Sequence, residues 1–78
     1  MQAIEVTARW DDSGQVTPLR FSQGGVSAQV ESVGRQWKDA AGLHVLVQAN
    51  GGRAYELVFM PAEMRWFMGF AGHSPAVI

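Results

Sequence analysis

The stretch Leu43–Phe59, LHVLVQANGGRAYELVF, decides the fold. Two apolar runs flank Asn50-Gly51-Gly52, and because Asn and Gly tolerate positive φ, this cluster is the strongest hairpin signal in the chain. Loop length then sets which residues share a face. A two-residue loop would group Leu43, Val45 and Val47 with Ala54, Glu56 and Val58, setting a carboxylate among apolar side chains. A three-residue loop, Asn50 to Gly52, groups Leu43, Val45, Val47 and Ala49 with Arg53, Tyr55, Leu57 and Phe59, which is apolar apart from Arg53 at the turn end. A slip of one residue moves every side chain to the other face, so the cleaner pattern is expected: a three-residue loop with a glycine in the left-handed region forming a bulge. The opposite face then carries His44, Leu46, Gln48, Ala54, Glu56, Val58 and Met60. Leu46, Val58 and Met60 on that face need cover from another part of the chain, a partner or a ligand.

Working back from the hairpin, Ile4, Val6, Ala8 and Trp10 alternate with Glu5, Thr7 and Arg9, the pattern of a half-buried strand. Asp11-Asp12-Ser13-Gly14 is turn chemistry. A four-residue loop there sets Trp10 opposite Gln15, Val6 opposite Leu19 and Ile4 opposite Phe21, and predicts a second strand over Gln15–Ser22. Pro18 donates no ladder bond, so this strand lies at an edge or carries a bulge. Gly24-Gly25 makes a two-residue turn pairing Phe21 and Leu19 with Ala28 and Val30. The third strand changes phase, since Val26, Ala28 and Val30 are even but Val33 and Trp37 are odd, and a bulge or bend around Ser32–Gly34 accounts for it. Lys38 to Gly42 form the next turn. Pro61-Ala62-Glu63 reads as a loop or one helical turn, and Met64–Phe70 as the last strand. There Met64, Trp66, Met68 and Phe70 fall on one side and Phe67 on the other. No stretch keeps a helical period. The expectation is an all-β meander of six antiparallel strands, a bent sheet or small SH3-like barrel over residues 1–70, with residues 71–78 a C-terminal tail.

At 78 residues the chain makes one domain, and a domain this short buries only about 60% of its unfolded surface. It has no cysteine, hence no disulfide and no thiolate metal site. Six Lys and Arg against seven Asp and Glu give a net charge of −1, with no basic field to hold a nucleic-acid backbone. No apolar run approaches the ~20 residues of a membrane span, and MQAIEVTARW alternates rather than forming a signal core, so a cytoplasmic location is expected.

Little in the chain signals chemistry. His44 and His73 are the only histidines, with no ligand spacing and no neighbouring carboxylate pair in sequence, so His44 reads as a packed or surface residue. Asp11–Gly14 lacks the alternating ligands and distal Glu of a calcium loop. Gly51-Gly52-Arg53 precedes no helix that would receive a phosphate. No serine has a histidine neighbour in sequence or an acylation motif. The expected protein is not an enzyme and uses no cofactor and no metal. The chain does carry an apolar excess: Trp37, Met60, Met64, Trp66, Phe67, Met68 and Phe70 exceed what one small core uses. Gln23, Ala28, Gln48 and Ala54 are small or polar positions within bulky strands. A partner-binding face of Gln23, Ala28, Gln48, Met60, Phe67, Met68 and Phe70 is therefore expected, with Phe67 its sharpest member.

The residues Ile4-Glu5-Val6, Pro18-Leu19-Arg20-Phe21, Val30-Glu31-Ser32, Gly34-Arg35-Gln36-Trp37, His44-Val45-Leu46-Val47, Gly51-Gly52-Arg53, Tyr55-Glu56-Leu57 and Arg65-Trp66 resemble a group of small uncharacterised bacterial all-β proteins, mostly of thermophiles. The resemblance covers most of the chain. It implies a strand-only fold and no established activity. This chain departs from that pattern in three places. Gln23, Gly25, Val26, Ala28 and Gln29 replace an aromatic and basic segment. Gln48-Ala49-Asn50 replaces Met-Val-Pro, and Met60 with Phe67-Met68-Gly69-Phe70 replaces an acidic residue and a Tyr-Leu-Lys ending. Substitutions of this kind read as a diversified surface on a stable scaffold, as in an engineered binder. The leading expectation is a non-catalytic binding module for a protein or ligand. Self-association through the same patch is the alternative, and a nucleic-acid-binding small barrel the third.

Overall fold

The computed structural model describes residues 2–72. Among them it has six strands and no helix: β1 Gln2–Trp10, β2 Val16–Gln23, β3 Val26–Lys38, β4 Leu43–Ala49, β5 Arg53–Met60 and β6 Arg65–Gly72. Each strand pairs antiparallel with the next, and β6 returns to β1, closing a barrel. The closing seam is short, Gln2, Ala3 and Ile4 against Met68, Phe67 and Trp66. Closure shortens the edges that would recruit other chains, leaving bare only the parts of β1 and β6 beyond the seam.

The central hairpin has the expected register. Ala49 faces Arg53 and Leu43 faces Phe59 across Asn50–Gly52. All three loop residues have positive φ, at 52°, 78° and 92°. Leu43, Val45, Val47, Ala49, Tyr55 and Leu57 are buried while Arg53 is exposed. With Val16, Phe21 and Ala28 they form the core, against which Ile4, Val6, Ala8, Val30, Phe59, Trp66 and Met68 pack. One end of the barrel is filled by Trp10, Phe59 and Trp66, with ring centroids 5.7 Å and 5.3 Å apart in sequence. Phe21 and Tyr55 meet at 5.1 Å, and the Tyr55 hydroxyl accepts a bond from the Asn50 amide at 2.9 Å.

Strand β3 carries the expected phase change, with register shifts between Val30 and Ser32 and between Val33 and Gln36. The residue displaced at the first shift is used. The Glu31 carboxylate accepts from the Gly51 and Gly52 backbone amides at 2.9 Å and 3.0 Å and holds the β4–β5 loop. Gly24-Gly25 is the expected two-residue turn, with Gln23 opposite Val26 and Phe21 opposite Ala28.

Three expectations are corrected. The β1–β2 loop takes five residues, Asp11–Gln15, because the Asp11 carboxylate draws in the Ser13 and Gln15 amides and Asp11 N–H bonds the Gln15 carbonyl. Trp10 therefore faces Val16, and Val6 faces Phe21 rather than Leu19. Leu19 is the residue skipped at a bulge beside Pro18. It points outward at 46% exposure, while Val16 and Pro18 are wholly buried. Met64 belongs to the β5–β6 turn, with φ 53° and its amide bonded to the Pro61 carbonyl, and is exposed. Finally, Ala71 and Gly72 are part of β6, and the remainder of the expected tail lies outside the described residues.

Candidate binding face

The three-residue loop gives a second set of side chains the outward phase of the sheet, where Leu46, Ala54 and Val58 are nonetheless buried beneath their neighbours while Phe70 is exposed. Trp37, His44, Val58 and Phe67 form one cross-strand row over β3, β4, β5 and β6. Leu46, Glu56 and Phe70 form the next, and Ser32, Gln48, Ala54 and Gly72 the third. Met60 and Arg65 pair at the end of the same face, where the Arg65 guanidinium lies 5.6 Å from the Phe67 ring centre.

Phe70 reaches this face by a bulge that strict alternation misses. The β5–β6 register shifts between Glu56 and Leu57: Leu57 faces Met68, Glu56 faces Phe70, and Gly69 is skipped. Phe70 is thus turned away from Met68 and out to solvent at 44% exposure. Gly69 leaves its space to neighbours. A Cβ there would lie 2.8 Å from Glu56 Oε1 and 3.0 Å from Val58 Cγ2.

The expected binding residues separate accordingly. Gln48, Met60, Phe67 and Phe70 share the outer face. Gln48 accepts from Ser32 Oγ at 2.8 Å, so it is already partly committed. Ala28 is buried against Phe21 and Met68 packs on the core opposite Leu57, so neither is available to a partner. Gln23 sits at the end of β2, its amide donating to Gln2 at 2.7 Å, apart from the other four. The seven residues therefore do not make one patch, because Ala28 and Met68 have the inward phase of their strands. A groove of about 490 Å³ lies elsewhere, between β1, β2 and the start of β6, lined by Glu5, Arg20, Ser22, Arg65 and Trp66 among others.

At the middle of the outer face is an arrangement the sequence reading missed. His44 is 8% exposed. Its Nε2 lies 2.8 Å from Asp39 Oδ1 and its Nδ1 2.5 Å from Glu56 Oε2. Trp37 stacks on the imidazole with centroids 5.0 Å apart and planes within 9°. The Arg35 guanidinium lies 4.8 Å from the Trp37 ring centre. Asp39 also accepts from the Ala41 and Gly42 amides, so one carboxylate shapes the β3–β4 turn and holds the ring. Burial alone would lower the His44 pKa, but the hydrogen bonds it donates to Glu56 and Asp39 outweigh it and raise it above the ordinary 6.5. The hydrogen bond from His44 lowers Asp39 below its ordinary 3.8, against a smaller opposing effect of burial. The signal was present once the register was chosen. Glu56 pairs with Leu46 and so lies diagonally from His44, within reach of a long side chain. Asp39 was not legible, because the turn alone brings it back. The two carboxylates hold opposite ring nitrogens and do not converge on one point, and among the described residues no side-chain cluster is arranged to hold a metal.

Comparison with protein-family models, with curated proteins and with solved structures finds no match, so the resemblance to small bacterial β proteins rests on its quoted residues alone.

Proposed function

We propose that the domain is a non-catalytic binding module that docks a protein partner on the outer face of β3–β6. The observation that carries this reading is the Gly69 bulge, which sets Phe70 outside the barrel beside Phe67 when the core is already filled without either. Aromatic side chains dominate the energy of protein interfaces. The face is a sheet surface with Trp37, Phe67 and Phe70 standing on it, which suits a protein surface better than a small molecule. The near-zero net charge disfavours a nucleic-acid partner. Four of the departures from the resembled family, Gln48, Met60, Phe67 and Phe70, fall on this face, which supports a diversified surface there.

The test is site-specific photocross-linking in the producing cell, with the probe at position 70 and, as a control, at exposed position 26 on another part of the barrel. A discrete protein adduct at 70 and not at 26 is expected. The identified partner, purified, should lose affinity at least tenfold for Phe67→Ala or Phe70→Ala, while Phe70→Ala lowers the melting temperature by only about 4–8 °C. An adduct of the chain with itself would replace the external partner by self-association. Equal, diffuse labelling at both positions would remove the face as a binding site.

A further inference from the structure

The buried histidine at the centre of that face needs a role of its own. A neutral imidazole has one N–H and one lone pair, whereas ionised carboxylates only accept hydrogen bonds. His44 faces a carboxylate oxygen at each nitrogen, at 2.8 Å and 2.5 Å, so both bonds require the imidazolium. We propose that His44 is a proton-operated latch, which when doubly protonated ties the β3–β4 turn to β5 across the outer face and on losing its proton frees one of the two carboxylates.

The surroundings decide the direction. On the elements packed against His44 the charged groups are Glu31, Arg35 and Lys38 of β3, Asp39 of the turn, Arg53 and Glu56 of β5, and Arg65 of β6. Arg35 is separated from the imidazole by the Trp37 ring, while Asp39 and Glu56 bond it directly. Burial is the largest single effect and opposes the charge, but the two bonded acids together prevail over it, and the folded protein holds the proton more tightly than the unfolded chain. The stabilisation is complete below about pH 6.5 and is lost as pH rises through the raised folded value. The freed group bears on the binding face. Glu56 faces Phe70 across the strand pair, and its carboxylate occupies the space above Gly69. Control of docking by this latch rests on the function proposed above, whereas the latch itself is a property of the free protein.

The experiment is a histidine ¹⁵N and aromatic proton NMR titration of the free 78-residue chain. His44 should carry protons on both nitrogens at pH 6.5 and titrate with a midpoint above that value, with Phe70 and Trp37 signals following the same curve. Glu56→Gln and Asp39→Asn should each lower the midpoint, and His44→Gln should abolish the loss of melting temperature between pH 6.5 and 8.5. A single neutral tautomer at pH 6.5, or a midpoint indifferent to both carboxamide variants, overturns the latch and leaves the docking face untouched. Phe70 signals that do not move with His44 overturn its connection to that face. Cross-linking that fails at position 70 while the titration succeeds removes the docking reading and leaves the latch standing.

Discussion

Truncating Phe70, Met68 and Leu57 in turn distinguishes the bulged β6 from a regular one. Strict alternation would place Phe70 and Met68 on the same inner face, so both truncations would open the core. The structure places Leu57 at 0% exposure, Met68 partly buried against the core and Phe70 outward at 44%. Leu57→Ala removes a fully enclosed side chain and should cost about 3–4 kcal/mol, combining lost transfer energy with an unfilled cavity. Met68→Ala should cost about 2 kcal/mol, the low end of the same range. Phe70→Ala loses roughly half of a burial worth about 1.5–3 kcal/mol, and water refills the site, so about 1 kcal/mol is expected. With a urea slope of about 1 kcal/mol per M for so small a domain, the midpoints should fall by about 3–4, 2 and 1 M. The chain has three tryptophans, so fluorescence reports the transition. If Phe70→Ala proves as costly as Leu57→Ala, or costlier than Met68→Ala, then Phe70 is a core residue, the bulge at Gly69 is wrong and the outer aromatic row loses a member.

Two further substitutions test the turns. Gly42 has φ 153°, and a Cβ there would collide with the Phe59 carbonyl oxygen, so Gly42→Ala should cost more than the roughly 1 kcal/mol of ordinary glycine replacement at positive φ; denaturant unfolding that shows no loss would mean that the β3–β4 turn does not approach β5. Glu31→Gln leaves the Gly51 and Gly52 amides a neutral, single-oxygen partner and should destabilise by about 1 kcal/mol, with faster amide exchange at Gly51 and Gly52 as the specific readout.

The sequence made the central hairpin legible because the choice between two loop lengths was a choice between a mixed and an apolar face, and only one could be buried. The Gly24-Gly25 turn and the bend in β3 were legible for the same reason, since each showed as a glycine pair or a broken alternation. What stayed hidden was set by partners rather than by the strand itself. Leu19 and Phe70 follow an apolar rhythm that points inward, but a bulge reverses them, and a bulge is fixed by the register of the opposing strand. Asp11 hid the length of its own loop, because a carboxylate that collects amides from two positions ahead and four positions ahead adds a residue that turn composition does not count. The same limit applied to the candidate face. Phe67 was correctly set apart from Trp66 and Met68 by alternation, whereas Ala28 was taken for a surface gap when its smallness serves the interior against Phe21. His44 looked solitary because its two acids come from a strand partner and from the chain's own return through Asp39.

The seam between β1 and β6 has a consequence for synthesis. Three residues of β1 find their partners only in β6, the last strand among the described residues. While translation proceeds, β2 to β5 can pair as they emerge, but β1 keeps one side bare and β5 lacks its outer neighbour. The nascent domain therefore presents two sticky margins until β6 clears the ribosome.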